Sequence, residues 1–135
     1  ITETDNIWFT NLTMNTHPIH FDAAYASKSE FKKPLVNSAL TLSMVAGMSV
    51  SDTSQKAIAN LGWNDIRLVA PVFVGDTLYA ESEVLSKRES ESRKGQGIVK
   101  IKTIGKKDDG IVFMTYERAF LVPKKGHSID ELADY

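Results

Sequence analysis

The 135-residue chain has no cysteine, which removes a disulfide scaffold, a thiolate metal site and a cysteine nucleophile together. It also lacks a surplus of either charge, with 16 Lys and Arg against 17 Asp and Glu. The broad basic footprint of a nucleic-acid binder or a polybasic membrane patch is therefore missing. The pairs Lys32-Lys33, Lys106-Lys107 and Lys124-Lys125 are scattered and read as solvated turns. No apolar run approaches the ~20 residues that span a bilayer, and no basic-then-apolar leader opens the sequence. The expected compartment is the cytoplasm, with no nucleic-acid or membrane partner. The first residue is Ile1, not methionine, which is expected of a trimmed N-terminus. The length suits one domain over residues 1–135, and no internal repeat or low-complexity segment interrupts it.

Punctuation divides the chain legibly. Thr4-Asp5-Asn6 offers cap residues before Ile7, Trp8, Phe9 and Leu12, a short amphipathic helix. Asp22 stands in the N-cap position of a second short helix through Ala26, and Lys33-Pro34 stops it. From Val36 to Val50 runs the longest apolar stretch, interrupted only by small or uncharged residues. A helix of about four turns without a charged face is buried on most sides, so something must wrap it. The second half supplies the wrapper. Ile66–Val69 reads as a short strand and Val74-Gly75-Asp76 as a tight turn. From Thr77 the residues alternate, Leu78, Ala80, Ser82 and Val84 against Tyr79, Glu81 and Glu83. Glu89 to Gly97 is a polar loop. Ile98–Ile104 and Ile111–Val122 are joined across Asp109-Gly110, a strong hairpin signal. The expected class is α+β, a curved antiparallel sheet rolled around one long apolar helix, with an exposed or loosely docked tail over 124–135.

Most of the usable chemistry lies in Asn15-Thr16-His17-Pro18-Ile19-His20-Phe21-Asp22. Pro18 fixes its own φ and pushes His17 out of the α region, so the segment forms a rigid corner between two helices. His20 lies just past that corner, where a fixed backbone can aim it into a cleft. On the residues alone it reads equally as a buried histidine satisfied by backbone groups. Asp22 reads as a helix cap, and His17 as a rim or surface side chain. His17, His20 and Asp22 also have the composition of a two-histidine, one-carboxylate metal set, but their spacing crosses a corner instead of following a helix face. No metal is expected. His127 falls in the charged tail and reads as solvated.

Three stretches resemble a known family. They are Phe9 through Asp22, with its Pro18-Ile19-His20-Phe21-Asp22 core; Pro34-Leu35-Val36-Asn37-Ser38, which opens the buried helix; and Asn60 through Arg67, continuing to Pro71 through Leu78. The chain resembles the MaoC-type hot-dog dehydratases, which include the (R)-specific enoyl-CoA hydratases, and especially their mesaconyl-CoA hydratase-like branch. The family's usual strand before the first helix is missing or trimmed. In the family motif an aspartate stands five residues before the histidine and an asparagine precedes the proline. Here those places hold Asn15 and His17, and Ser38 replaces a common glycine.

The resemblance implies reversible hydration of a trans-2-enoyl thioester to a 3-hydroxyacyl thioester. His20 would be the general acid and base, and a backbone N–H of Ser38 at the start of the central helix would hold the thioester oxygen. Asn15 cannot accept a proton near neutral pH, so its implied part is to orient water. Val36, Asn37, Leu40 and Phe73 would line the acyl site. Arg67 would meet a dicarboxylyl chain such as that of mesaconyl-CoA, and Arg67 and Lys32 are the cations considered for coenzyme A phosphates. No cofactor beyond the coenzyme A thioester substrate is implied, and the expected assembly is a homodimer or a dimer of dimers. Two other classes stay open: a non-catalytic acyl-CoA-binding or dimer-partner subunit, and a hot-dog thioesterase. The absence of Asp and Glu between Val36 and Val50 counts against the thioesterase.

Overall fold

A computed structural model describes residues 1–133; Asp134 and Tyr135, the end of the expected tail, lie outside the described residues. The first helix, α1 (Glu3–Leu12), begins earlier than Thr4-Asp5-Asn6 suggests. The Thr2 hydroxyl accepts the Asp5 N–H while the Asp5 carboxylate accepts the Thr2 N–H, a reciprocal capping box. Its buried face is polar: Asn6 and Thr10 point inward, whereas Trp8 is 79% and Leu12 81% exposed. A 3₁₀ turn (Pro18–His20) and α2 (Ala23–Ala26) follow, and the Asp22 carboxylate caps α2 through the Tyr25 N–H, as expected.

The apolar stretch forms two helices, α3 (Ser38–Met48) and α4 (Val50–Thr53), instead of one spanning Val36–Val50. Val36 stays outside because its N–H bonds the Val72 carbonyl, and Asn37 caps α3 through the Ala39 N–H. At the other end the Ser49 hydroxyl turns back on the Ala46 carbonyl. Leu40, Thr41 and Val45 are buried, but Ala39, Ser43 and Gly47 are exposed one turn apart, so one face of the helix is bare. Burial on most sides does not hold within this chain.

Four strands make one antiparallel sheet in the order β1-β4-β3-β2: β1 (Ala59–Leu68), β2 (Leu78–Glu89), β3 (Gln96–Lys107) and β4 (Val112–Pro123). β1 is longer than the short Ile66–Val69 strand expected, because pairing with β4 carries the chain through two bulges, one of them at Asp65 with φ 48°. On β2, Leu78 and Ala80 pack against the core, whereas Ser82 and Val84 are exposed because that end runs past α3. The β3–β4 hairpin turns at Gly110 (φ 83°) with the Asp109 carboxylate accepting the Ile111 N–H. Val36, Leu40, Val45, Val72, Phe113, Met114 and Tyr116 form the core between α3 and the sheet. This is the hot-dog arrangement.

The described part of the tail, residues 124–133, includes a short capped helix. Ser128 is buried and caps α5 (Ile129–Leu132) in a second capping box with Glu131, while Lys56 pairs with Asp130 at 3.0 Å. His127 is exposed.

Candidate active site

The corner at Pro18 works as the sequence implies. His17 is extended (φ −71°, ψ 116°), its Nδ1 accepts the Ile19 N–H at 3.2 Å, and His20 emerges from the 3₁₀ turn half-buried. His20 Nδ1 lies 2.8 Å from the Leu35 carbonyl oxygen. A carbonyl only accepts, so Nδ1 carries the proton and the neutral ring keeps its lone pair on Nε2. His20 borders a cavity of about 240 Å³ together with Glu3, Asn6, Phe21, Lys33, Pro34 and Val74. The His17 ring packs edgewise on those of His20 (6.0 Å) and Tyr25 (5.9 Å). Among the described residues no three metal-ligating side chains converge, and Asp22 serves its helix cap.

Asn15 is presented by a tight turn at the end of α1, where Met14 takes a left-handed φ of 56°. Its Oδ1 accepts the His17 N–H at 3.0 Å, which fixes the side chain and leaves the Nδ2 donors free. Among the described residues no hydrogen bond joins Asn15 to His20.

Ser38 opens α3, and no protein group among the described residues takes its N–H. It lines a second cleft of about 310 Å³ with Phe31, Leu35, Val36, Thr41 and Val69 among its walls. His20 and Ser38 therefore border different cavities. Val36 is buried along the Ser38 cleft. Leu40 is buried in the core and reaches the floor of an apolar groove with Trp8, Phe9 and Met44. Asn37 is buried and works as a cap, with Nδ2 on the Thr10 hydroxyl at 3.3 Å. Phe73 carries the Lys33 ammonium over its ring at 4.2 Å and forms a bridge with Leu35. Arg67 is exposed on β1 and pairs with Asp65 at 2.7 Å. Lys32 is exposed.

Three residues at the His20 cavity have no site role in the sequence reading: Glu3, Lys33 and Asn6. Asn6 is 1% exposed. Its Nδ2 donates to the His20 carbonyl at 2.8 Å and the Leu35 carbonyl at 3.3 Å, and its Oδ1 accepts the Asn37 N–H at 2.8 Å. The available signal was Asn6 and Thr10 at i and i+4, a polar pair in a helix otherwise rich in Trp, Phe and Leu.

The MaoC like domain model matches residues 1–107. The chain belongs to this family. The MaoC-like domain is 35% identical over 108 residues to a mesaconyl-CoA hydratase of Cereibacter sphaeroides, covering 76% of this chain and 31% of that protein. It is 34% identical over 83 residues to an (R)-specific enoyl-CoA hydratase of Aeromonas caviae, covering 62% and 61%. Among solved structures, a MaoC domain protein of Chloroflexus aurantiacus superposes with a TM-score of 0.87 at 30% identity, covering 93% of this chain and 35% of that one. This MaoC-like domain thus spans about a third of the length of the mesaconyl-CoA hydratase it matches. At the family level, its relatives are hydratases and dehydratases of enoyl-CoA thioesters.

Proposed function

We propose that this domain adds water reversibly across the double bond of a trans-2-enoyl-CoA thioester, with His20 as general acid and base. The observation that carries this is the bond from His20 Nδ1 to the Leu35 carbonyl, which leaves the lone pair on Nε2 of a ring that borders a cavity. Nε2 takes a proton from water as the water oxygen bonds the β-carbon. The electron pair of the double bond moves toward the thioester oxygen, and the Ser38 N–H holds the developing charge on a thioester that reaches from the His20 cavity into the Ser38 cleft. The imidazolium then delivers the proton to the α-carbon, giving the 3-hydroxyacyl thioester. Dehydration runs the same steps backward. Asn15, fixed through His17, offers an Nδ2 donor to the water oxygen.

Val36, Asn37, Leu40 and Phe73 remain the acyl-side residues of this proposal, and the names of the relatives favour a small dicarboxylyl chain such as mesaconyl. The reaction needs no cofactor besides the thioester itself and proceeds on soluble substrate in the cytoplasm. Two copies complete the site. The bare face of α3 (Ala39, Ser43, Gly47) carries no charge, and the outer edge of β1 has no partner strand among the described residues. A homodimer, or a pair of them, covers such surfaces.

Purified protein should deplete the enoyl-thioester absorbance of a short or branched trans-2-enoyl-CoA. No loss of absorbance, or a His20→Ala variant as fast as the parent, removes the proposal. One observation favours a second possibility, an acyl-CoA-binding subunit without turnover: the Asn15 amide is engaged by the His17 N–H, and an amide cannot serve as a base. Activity that appears only in Asn15→Asp would establish it.

A further inference from the structure

His20 and the start of α3 come from segments fifteen or more residues apart, and no helix or strand joins them. The Leu35 N–H bonds the Ile19 carbonyl at 3.0 Å, a tie that holds backbone to backbone but reaches neither the imidazole nor α3. Asn6 is the only side chain among the described residues hydrogen-bonded to all three of His20, Leu35 and Asn37. Every one of its side-chain contacts has a consequence for the site. The bond to the His20 carbonyl holds the backbone from which the imidazole projects. The bond to the Leu35 carbonyl places the acceptor that His20 Nδ1 needs. The bond from the Asn37 N–H places the cap of α3, one residue before the free N–H of Ser38.

We propose that Asn6 is the positioning residue of this site: it locks His20 in the Nδ1–H form and holds that ring in register with the N-terminus of α3. Only an amide can do this. The site presents two carbonyls and one N–H to a single buried side chain, so the side chain must donate twice and accept once. Aspartate, of the same shape, would accept from Asn37 but set a carboxylate against two carbonyl oxygens. Leucine would leave all three groups without partners in the interior. A free imidazole in water prefers the Nε2–H form, so the Nδ1–H form persists only while the Leu35 carbonyl stays in place. Loss of Asn6 then moves the proton to Nε2, the nitrogen whose lone pair the proposed reaction requires.

The kinetic arm of the test rests on the hydratase function proposed above, and the spectroscopic arm does not. Two-bond ¹H–¹⁵N correlation spectra at alkaline pH should show His20 of the parent protein as a single Nδ1–H tautomer. In Asn6→Leu and Asn6→Asp, whichever folds, the Nε2–H form should appear. In the same variants kcat should fall about 10- to 100-fold, as for a catalytic group displaced by about an ångström, with KM changed less than about threefold. Ser49→Ala, which removes a buried helix hydrogen bond far from His20, should lower stability while leaving tautomer and kcat alone. A parent His20 in the Nε2–H form overturns the proposal. So does a folded Asn6 variant that keeps the Nδ1–H form, or a kcat loss that Ser49→Ala reproduces. A parent protein without hydratase activity defeats the proposed function alone, and the tautomer spectra still decide the role of Asn6.

Discussion

The His20 imidazole and the Leu35 carbonyl meet at 2.8 Å across fifteen residues of chain, and that contact decides which ring nitrogen is basic. Leu35 also lines the Ser38 cleft. One residue thus both lines the cleft at the start of α3 and accepts the His20 proton.

His20→Ala should lower kcat about 10²- to 10⁴-fold, the usual range for removal of a general acid–base. Asn15→Ala should cost about tenfold, the worth of one hydrogen bond to water. Steady-state hydration rates on a trans-2-enoyl-CoA check both, and equal losses would contradict the unequal roles given to the two residues.

The cation that meets a dicarboxylyl chain identifies the cleft in which the chain lies. Lys33 lines the His20 cavity, and Arg67 stands on β1 next to Leu68 and Val69 of the other cleft. Lys33→Gln or Arg67→Gln should raise KM about tenfold for a thioester with a free carboxylate and leave its monocarboxylyl counterpart unchanged. A split in neither variant removes the dicarboxylate assignment.

Gly105 has no room for a side chain. A Cβ there would lie 2.6 Å from the Phe113 ring and 2.9 Å from Met114 Cγ, both core residues. Gly105→Ala should destabilise the domain by about 1–3 kcal/mol, read as a lower denaturant midpoint with an unchanged slope.

Met14 stands at the left-handed position after α1, with a side chain 85% exposed. A non-glycine residue there costs about 1–2 kcal/mol, and glycine loses roughly 0.5–1 kcal/mol of chain entropy. Met14→Gly should therefore stabilise the fold by about 0.5–1 kcal/mol in the same denaturation experiment.

The Glu131 carboxyl is pulled from 4.5 to about 2, first by the Ser128 hydroxyl and then by the Ser128 and Gly126 N–H groups. Its folded value is the depressed one, so the support it lends α5 is complete above about pH 4.5 and disappears as pH falls toward 2. Amide exchange at Gly126 and Ser128 should accelerate across that window, and Glu131→Gln should flatten the response.

The features that were legible in the sequence are those set by local rules. Pro18, Asp22, Gly75 and Asp109-Gly110 act where turn and cap chemistry places them, and β-branched residues mark β3 and β4. The family motif pointed to His20, which borders a cavity. Less visible were features that depend on distant partners. The β1 strand begins seven residues before its apolar segment because β4 supplies the pairing. Trp8 and Leu12 seemed to define the inner face of α1, yet Asn6 and Thr10 occupy it because Asn37 and two carbonyls wait there for polar partners. The placement of His20 and Ser38 at separate cavities depends on contacts between distant segments, which no spacing rule encodes.

The uncharged stripe of Ala39, Ser43 and Gly47 sets a condition on handling as well as on architecture. In the homodimer proposed above, stability that depends on covering it is linked to mass action. Dilution should lower the melting temperature, and specific activity should sag at nanomolar concentrations before any residue is altered. Assays of the variants above therefore compare like with like only at matched protein concentration.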